Sequence, residues 1–334
     1  MLGRTSDDPA AGQAATRCGD IEPMSTAVLS PRRTSSTTLA ALGLLAVTAA
    51  WGSTFYLLKG VVERVPPTDF LAVRFALATL AVALIAPRAV SALTAAERRH
   101  GVLLGLVYGG GQILQTVGLQ TTSASVSGFV TGMYVVFTPL LGAVLLRARI
   151  GRTVWFAVGL ATLGLGVLSL QGFSVGGGEA LTLASALLYG AHIVGLGAWS
   201  SARSALGLTV VQLATITAVC SAGALPGGLT LPDRAGDWGA LVYMALVAGA
   251  LALVVQTWAQ AHLAATRAAI IMTMEPVWAG LFAVLLGGER LGPRVLLGGG
   301  LVLAAMYLVE LGPRRPGDQD VAAEVGGVTH VGPV

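Results

Sequence analysis

Long apolar segments separated by short polar ones make up the chain between residues 38 and 312. A helix needs about 20 apolar residues to cross the hydrocarbon core of a bilayer, and ten segments approach that length. The pattern predicts an all-α integral membrane protein with ten transmembrane helices. The predicted spans are 39–58, 70–87, 102–120, 125–146, 153–171, 179–199, 208–227, 238–260, 265–287 and 294–311.

The two ends of the chain are polar and show no hydrophobic periodicity. We predict that residues 1–37 and 313–334 are disordered tails. No apolar stretch of the kind found in a secretory signal lies near the start. Met24 opens a second candidate translation start, so both Met1 and Met24 stay open as the first residue.

Composition agrees with a membrane protein and argues against several other classes. Charged residues make up 11% of the chain, compared with about 25% in soluble domains. The net charge of +4 comes without the basic, aromatic-rich face of a nucleic-acid-binding protein. The two cysteines, Cys18 and Cys220, are isolated, so we predict no disulfide framework, no metal site and no cofactor.

Charge distribution predicts the orientation. Arginines concentrate in the polar segments that share a side with the N-terminus. The positive-inside rule therefore places both termini in the cytoplasm, in a multi-pass protein of the plasma membrane.

The chain contains an internal repeat, whose halves we place at 38–172 and 177–312. Each half has five predicted spans, and an odd number inverts the second half relative to the first. Inverted repeats place a substrate site at the repeat interface near the bilayer midplane. The matched positions are Trp51 with Tyr189 and Arg74 with Gln212 at an offset of 138, Gln115 with Gln256 at 141, and Pro139 with Pro276 at 137.

Several motifs in this order resemble the EamA-type transporters of the drug/metabolite transporter superfamily. They are "AAWGSTF", "AVRFA", "GLQTTSASVSGFVTGMYVVFTPLLGAVLL" and "QTWAQAHLAATRAAIIMTMEPVWAGLFAVLLGGERLG". The resemblance implies a central cavity lined by helices 1, 3, 4, 6, 8 and 9. It also implies export of small metabolites such as amino acids by alternating access. Members of the family often carry a first-half glutamate equivalent to Glu289, where this chain has Ala148.

Two other kinds of function remain open. Within transport, the protein could be a proton-coupled multidrug exporter or a metabolite importer. Outside transport, Ser174 lies in a G-x-S-x-G pattern and would be the nucleophile of an intramembrane serine hydrolase with His192 as base. That pattern needs a strand–turn–helix context, so we predict that the protein is not an enzyme.

Glu275 is the acidic residue closest to the centre of a predicted span. An ionisable group at that depth is costly unless it faces a cavity or a partner. Pro276 cannot donate to the carbonyl one turn earlier and leaves that oxygen free. Glu275 could contact a substrate amine, exchange a proton, or bond a neighbouring helix as a structural carboxylate.

Polar and aromatic residues share helix faces near the predicted midplane. Tyr189 and His192 lie on one face of the sixth helix, opposite Trp51 on the first. Such faces fit either a small-molecule cavity or hydrogen bonding between helices. The predicted substrate-binding residues are Trp51, Thr54, Gln112, Gln115, Tyr134, Tyr189, His192, Gln256, Glu275 and Trp278, with Pro139 and Pro276 as structural or hinge positions.

Two further charged residues have several interpretations. Arg74 could attract an anionic substrate, but snorkelling to headgroups or pairing with Asp69 or Glu63 fits its position better. Glu289 ends the ninth predicted helix, where we expect an interfacial ion pair or a helix-end anchor. The predicted partners are a small-molecule substrate and the lipid bilayer, with protons as a candidate coupling ion; the oligomeric state stays open, and a monomer fits.

Overall fold

The computed structural model describes residues 32–146, 151–171, 174–263, 268 and 271–311. These residues are helical apart from connecting loops and one short antiparallel hairpin of β1 (Leu170–Gln171) and β2 (Ser174–Val175). The helices are α1 (Arg32–Val61), α2 (Pro67–Ile85), α3 (Ala95–Leu119), α4 (Ala124–Thr131), α5 (Tyr134–Leu146), α6 (Arg152–Ser169), α7 (Gly177–Trp199), α8 (Ala205–Ala224), α9 (Ala235–Ala245), α10 (Ala252–Gln260), α11 (Met274–Leu285) and α12 (Pro293–Leu311).

Seven helical stretches of the described chain are long and apolar enough to cross a membrane. Two of them join shorter elements: α4 with α5, and α9 with α10 through a π-helix at Leu246–Leu251. Three further apolar helices are shorter, at Arg152–Leu168, Met274–Leu285 and Pro293–Leu308. The protein is therefore an α-helical integral membrane protein.

The first helix begins inside the segment predicted to be a disordered tail. Helix α1 starts at Arg32, whereas the prediction placed the tail boundary at residue 37. Hydrophobicity marks only the part of a helix that lies in lipid, and a helical backbone can continue into the polar region because its hydrogen bonds are internal. The rest of the N-terminal tail and the C-terminal tail lie outside the described residues.

The largest helix contacts join one half of the chain to the other. Helix α1 packs on α11, α2 on α8, α3 on α7 and α8, and α6 on α12. Two glycines make the α1, α4 and α11 contact close. A Cβ on Gly52 would lie 2.5 Å from the Trp278 Cβ, and one on Gly128 would lie 2.4 Å from the Ala279 Cβ. Small residues that let backbones approach are a common basis of helix packing in membranes.

Polar side chains tie helix ends together at one face of the bundle. Lys59 Nζ donates to Leu119 O at 2.8 Å, at the C-terminus of α3. The Glu289 carboxylate accepts from the Ala124 N–H at 2.8 Å and from the Ser125 hydroxyl at 2.6 Å. Glu289 thereby occupies the positive N-terminal end of α4, as a helix-end anchor would.

Candidate functional site: a polar cavity between the two halves

A cavity lies between the two halves and contains about 470 Å³ of space between atoms, including its open part. Its walls combine aromatic rings with a few polar groups. The lining residues are Trp51, Thr54, Phe55, Arg74, Tyr108, Gln112, Gln115, Tyr134, Tyr189, His192, Ile193, Gln256, Met272 and Glu275.

Among the described residues that line the cavity, Glu275 is the only carboxylic acid, and it is 6% exposed. It lies in the first turn of α11. The Tyr134 hydroxyl, from the first half, donates to Glu275 Oε2 at 2.8 Å. The same hydroxyl lies 3.0 Å from Met272 O, which is the carbonyl that Pro276 leaves without an N–H donor. The hydroxyl of a first-half tyrosine thus lies within hydrogen-bond distance of both the carboxyl group and the freed carbonyl of the second half.

A chain of hydrogen bonds runs along the opposite wall. Gln112 Nε2 donates to the Tyr189 hydroxyl at 2.7 Å, which donates to Gln115 Oε1 at 3.0 Å. Gln115 Nε2 then donates to the Thr131 hydroxyl at 3.0 Å. The chain connects α3 to α4 and α7 and fixes the direction of each amide.

His192 and Tyr108 form an aromatic corner. Their ring centroids are 4.9 Å apart, and Tyr108 also lies 5.3 Å from the Tyr189 ring. His192 Nε2 is 2.8 Å from Gln212 Oε1. This nitrogen is therefore engaged with a neighbouring helix rather than with the β-hairpin that contains Ser174.

Of two polar residues in the lining, Trp51 has a hydrogen-bond partner for its indole N–H, whereas Gln256 has none for its amide oxygen among the described residues. Trp51 Nε1 donates to Ala248 O at 2.9 Å, in the π-helix. The Gln256 side chain is 2% exposed, and its Oε1 has no hydrogen-bond partner among the described residues. An unpartnered buried amide oxygen is costly, and this one belongs to a residue of the cavity lining.

The structure brings nine of the ten predicted substrate-binding residues to this cavity. Trp278 lies outside the lining; it packs near Gly52 and stacks on Phe282 with ring centroids 6.2 Å apart. Pro139 lies within α5 and Pro276 within α11. That these residues bind substrate stays a prediction.

The prediction that Arg74 snorkels to the headgroups or pairs with Asp69 or Glu63 is wrong. Its side chain is 3% exposed and lines the cavity, so it reaches neither headgroups nor Glu63. Asp69 accepts instead from the Thr230 N–H at 2.8 Å. The second helix therefore joins the six cavity helices that the family resemblance implies, because helix packing turns Arg74 inward.

Four other lining residues were not among the predicted site residues: Phe55, Tyr108, Ile193 and Met272. Tyr108 precedes Gln112 by one helical turn, so helical periodicity could have identified it. Ser174 lies in β2, and no cluster of three or more His, Cys, Asp or Glu residues suited to a metal occurs in the described ranges.

Comparison with known proteins gives consistent similarities. The EamA-like transporter family matches residues 38–170 and 176–311. An "Uncharacterized transporter" from Archaeoglobus fulgidus is 30% identical over 271 residues, covering 81% of this chain and 85% of the relative. A solved structure titled "Crystal structure of protein" aligns with a TM-score of 0.62 at 17% identity, over 83% of this chain and 99% of the other; that likeness concerns the fold alone.

Proposed function

Because the chain belongs to the EamA-like transporter family and is a membrane transporter, we propose that it exports small polar or amphipathic metabolites, such as amino acids, through the central cavity. In this proposal ten spans form two inverted five-helix halves, 38–172 and 177–312. Both termini are cytoplasmic, in the plasma membrane. The halves rock about the cavity so that it opens to each side in turn.

A contact between equivalent positions supports the inverted arrangement. The Thr79 and Thr217 hydroxyls are 3.0 Å apart, and their separation in sequence is 138, the offset that relates Arg74 to Gln212. Equivalent residues of two repeats meet where a two-fold axis passes between them. Helix α2 likewise packs on α8, and α6 on α12. In each pair the two helices occupy equivalent positions in the two halves.

The observation that carries the proposal is the buried Glu275 carboxyl group at the interface of the halves, held by Tyr134 from the opposite half. An ionised Glu275 offers a counter-charge to a substrate amine, and a protonated one offers an exchangeable proton. Both roles couple the occupancy of the cavity to contacts between the two halves. Transporters use intramembrane carboxyl groups in these ways.

Release of metabolites from cells tests the proposal most simply. Cells with and without the protein are compared by untargeted measurement of the medium and of the cytoplasm. Export predicts metabolites that rise in the medium and fall in the cytoplasm only when the protein is present. The reverse distribution would indicate an importer, and no protein-dependent change would contradict the proposal.

A further inference from the structure

Arg74 is a buried cation without a carboxylate partner among the described residues. Its Nε donates to Met244 O at 3.1 Å and its Nη1 to Gln112 Oε1 at 3.3 Å. Both acceptors are neutral. A guanidinium has five N–H donors, and these two contacts use two of them. A buried unpaired charge is expensive in a membrane protein.

The second half of the protein shows what the fold itself requires at this position. Gln212 is the counterpart of Arg74 at the offset of 138. Its Oε1 lies 2.8 Å from His192 Nε2, and its Nε2 donates to Leu208 O at 3.3 Å. A neutral amide thus has a protein partner at both its oxygen and its nitrogen there. The charge of Arg74 exceeds what the packing of this helix needs.

The surroundings of Arg74 suit a ligand that carries an anionic group. The guanidinium lies 4.9 Å from the Phe75 ring centroid, which steadies a cation but does not neutralise it. Gln256, in the same lining, has an unbonded buried amide oxygen. Glu275 lines the cavity too, yet its carboxyl group and the Arg74 guanidinium form no ion pair. The cavity therefore keeps a cation and a carboxyl group apart.

We propose that Arg74 binds the carboxylate of the transported molecule, so that the substrates are carboxylates, and zwitterions when their amine lies toward Glu275. The inference rests on the proposed function and names its substrate class. The free edge of a guanidinium matches a carboxylate, because its parallel N–H groups can bond both oxygens. A bound carboxylate also removes the cost of leaving the charge unpaired.

Binding to the purified protein tests the inference without a transport assay. Thermal unfolding and equilibrium binding are measured with matched pairs of small molecules: acetate and acetamide, glycine and glycinamide, L-leucine and L-leucinamide, L-glutamate and its α-amide. The first variant is Arg74→Gln, which should fold because the equivalent residue of the second half, Gln212, is a glutamine. The second variant is Arg74→Lys, which keeps the charge. Arg88→Gln removes an exposed arginine outside the cavity as the control.

We expect at least one carboxylate to bind wild type with its amide partner binding at least about tenfold more weakly. Arg74→Gln should remove this preference, Arg74→Lys should restore part of it, and Arg88→Gln should leave it intact. A preference that survives in Arg74→Gln, or the lack of any carboxylate preference in wild type, overturns the inference. If the metabolites that the protein releases from cells lack a carboxylate, the substrate class is wrong while export stands; if none is released, the proposed function fails instead.

Discussion

Replacing Tyr134 with phenylalanine tests the contact between the two halves. The change removes one hydroxyl, 2.8 Å from Glu275 Oε2 and 3.0 Å from Met272 O, and leaves the ring in place. A hydrogen bond to a charged group contributes about 1.5–3 kcal/mol. The hydroxyl carries one proton, so it donates to one of these two oxygens at a time.

We expect Tyr134→Phe to slow transport by about ten- to a hundredfold, since each 1.36 kcal/mol corresponds to about a factor of ten. The assay is release of a protein-dependent metabolite from cells with matched protein levels. Tyr56→Phe is the control, because it removes a tyrosine hydroxyl from the first half at a residue that does not line the cavity.

A double-mutant cycle separates this contact from a general loss of packing. In a Glu275→Gln background, Tyr134→Phe should cost at least about 1 kcal/mol less than in wild type. The reasoning is refuted if the two changes are additive, or if Tyr134→Phe transports like Tyr56→Phe.

Three other predictions concern packing, helix ends and topology. Gly52→Ala should destabilise the protein by about 1–3 kcal/mol because its Cβ would lie 2.5 Å from the Trp278 Cβ; thermal unfolding should show no such loss for Gly60→Ala, which has open space in the same helix. Glu289→Gln should lower thermal stability by about 0.5–2 kcal/mol through the weakened anchor of α4, and an equal loss in exposed Glu63→Gln would contradict that origin. Reporter fusions after residues 95, 150 and 315 should report the cytoplasm and one after 235 the outside; the ten-span inverted arrangement fails if the 150 and 235 fusions share a side.

Local sequence rules identified much of the cavity. The depth of Glu275 in an apolar segment and the i, i+3 spacing of Tyr189 and His192 were enough to place them on facing surfaces. The carbonyl freed by Pro276 also followed from covalent structure. That the Tyr134 hydroxyl lies beside this carbonyl did not, because the register between the halves depends on tertiary packing.

The features that sequence missed depend on helix rotation and backbone irregularity. Arg74 faces the cavity because α2 packs on α8, and its own segment gives no periodic signal for that direction. No local sequence pattern predicts the π-helix at Leu246–Leu251. Its Ala248 carbonyl accepts the hydrogen bond from the Trp51 indole. Such irregular turns are frequent at functional sites.

The most direct test of the account is transport by Glu275→Gln. Glutamine keeps the shape of the side chain but removes the charge and the exchangeable proton. We predict normal folding and membrane insertion, with a transport rate at least about tenfold below wild type, equivalent to roughly 1.4 kcal/mol, while Glu63→Gln transports normally. A Glu275→Gln protein that transports like wild type between about pH 5 and 8 would make Glu275 a structural residue and contradict the central claim.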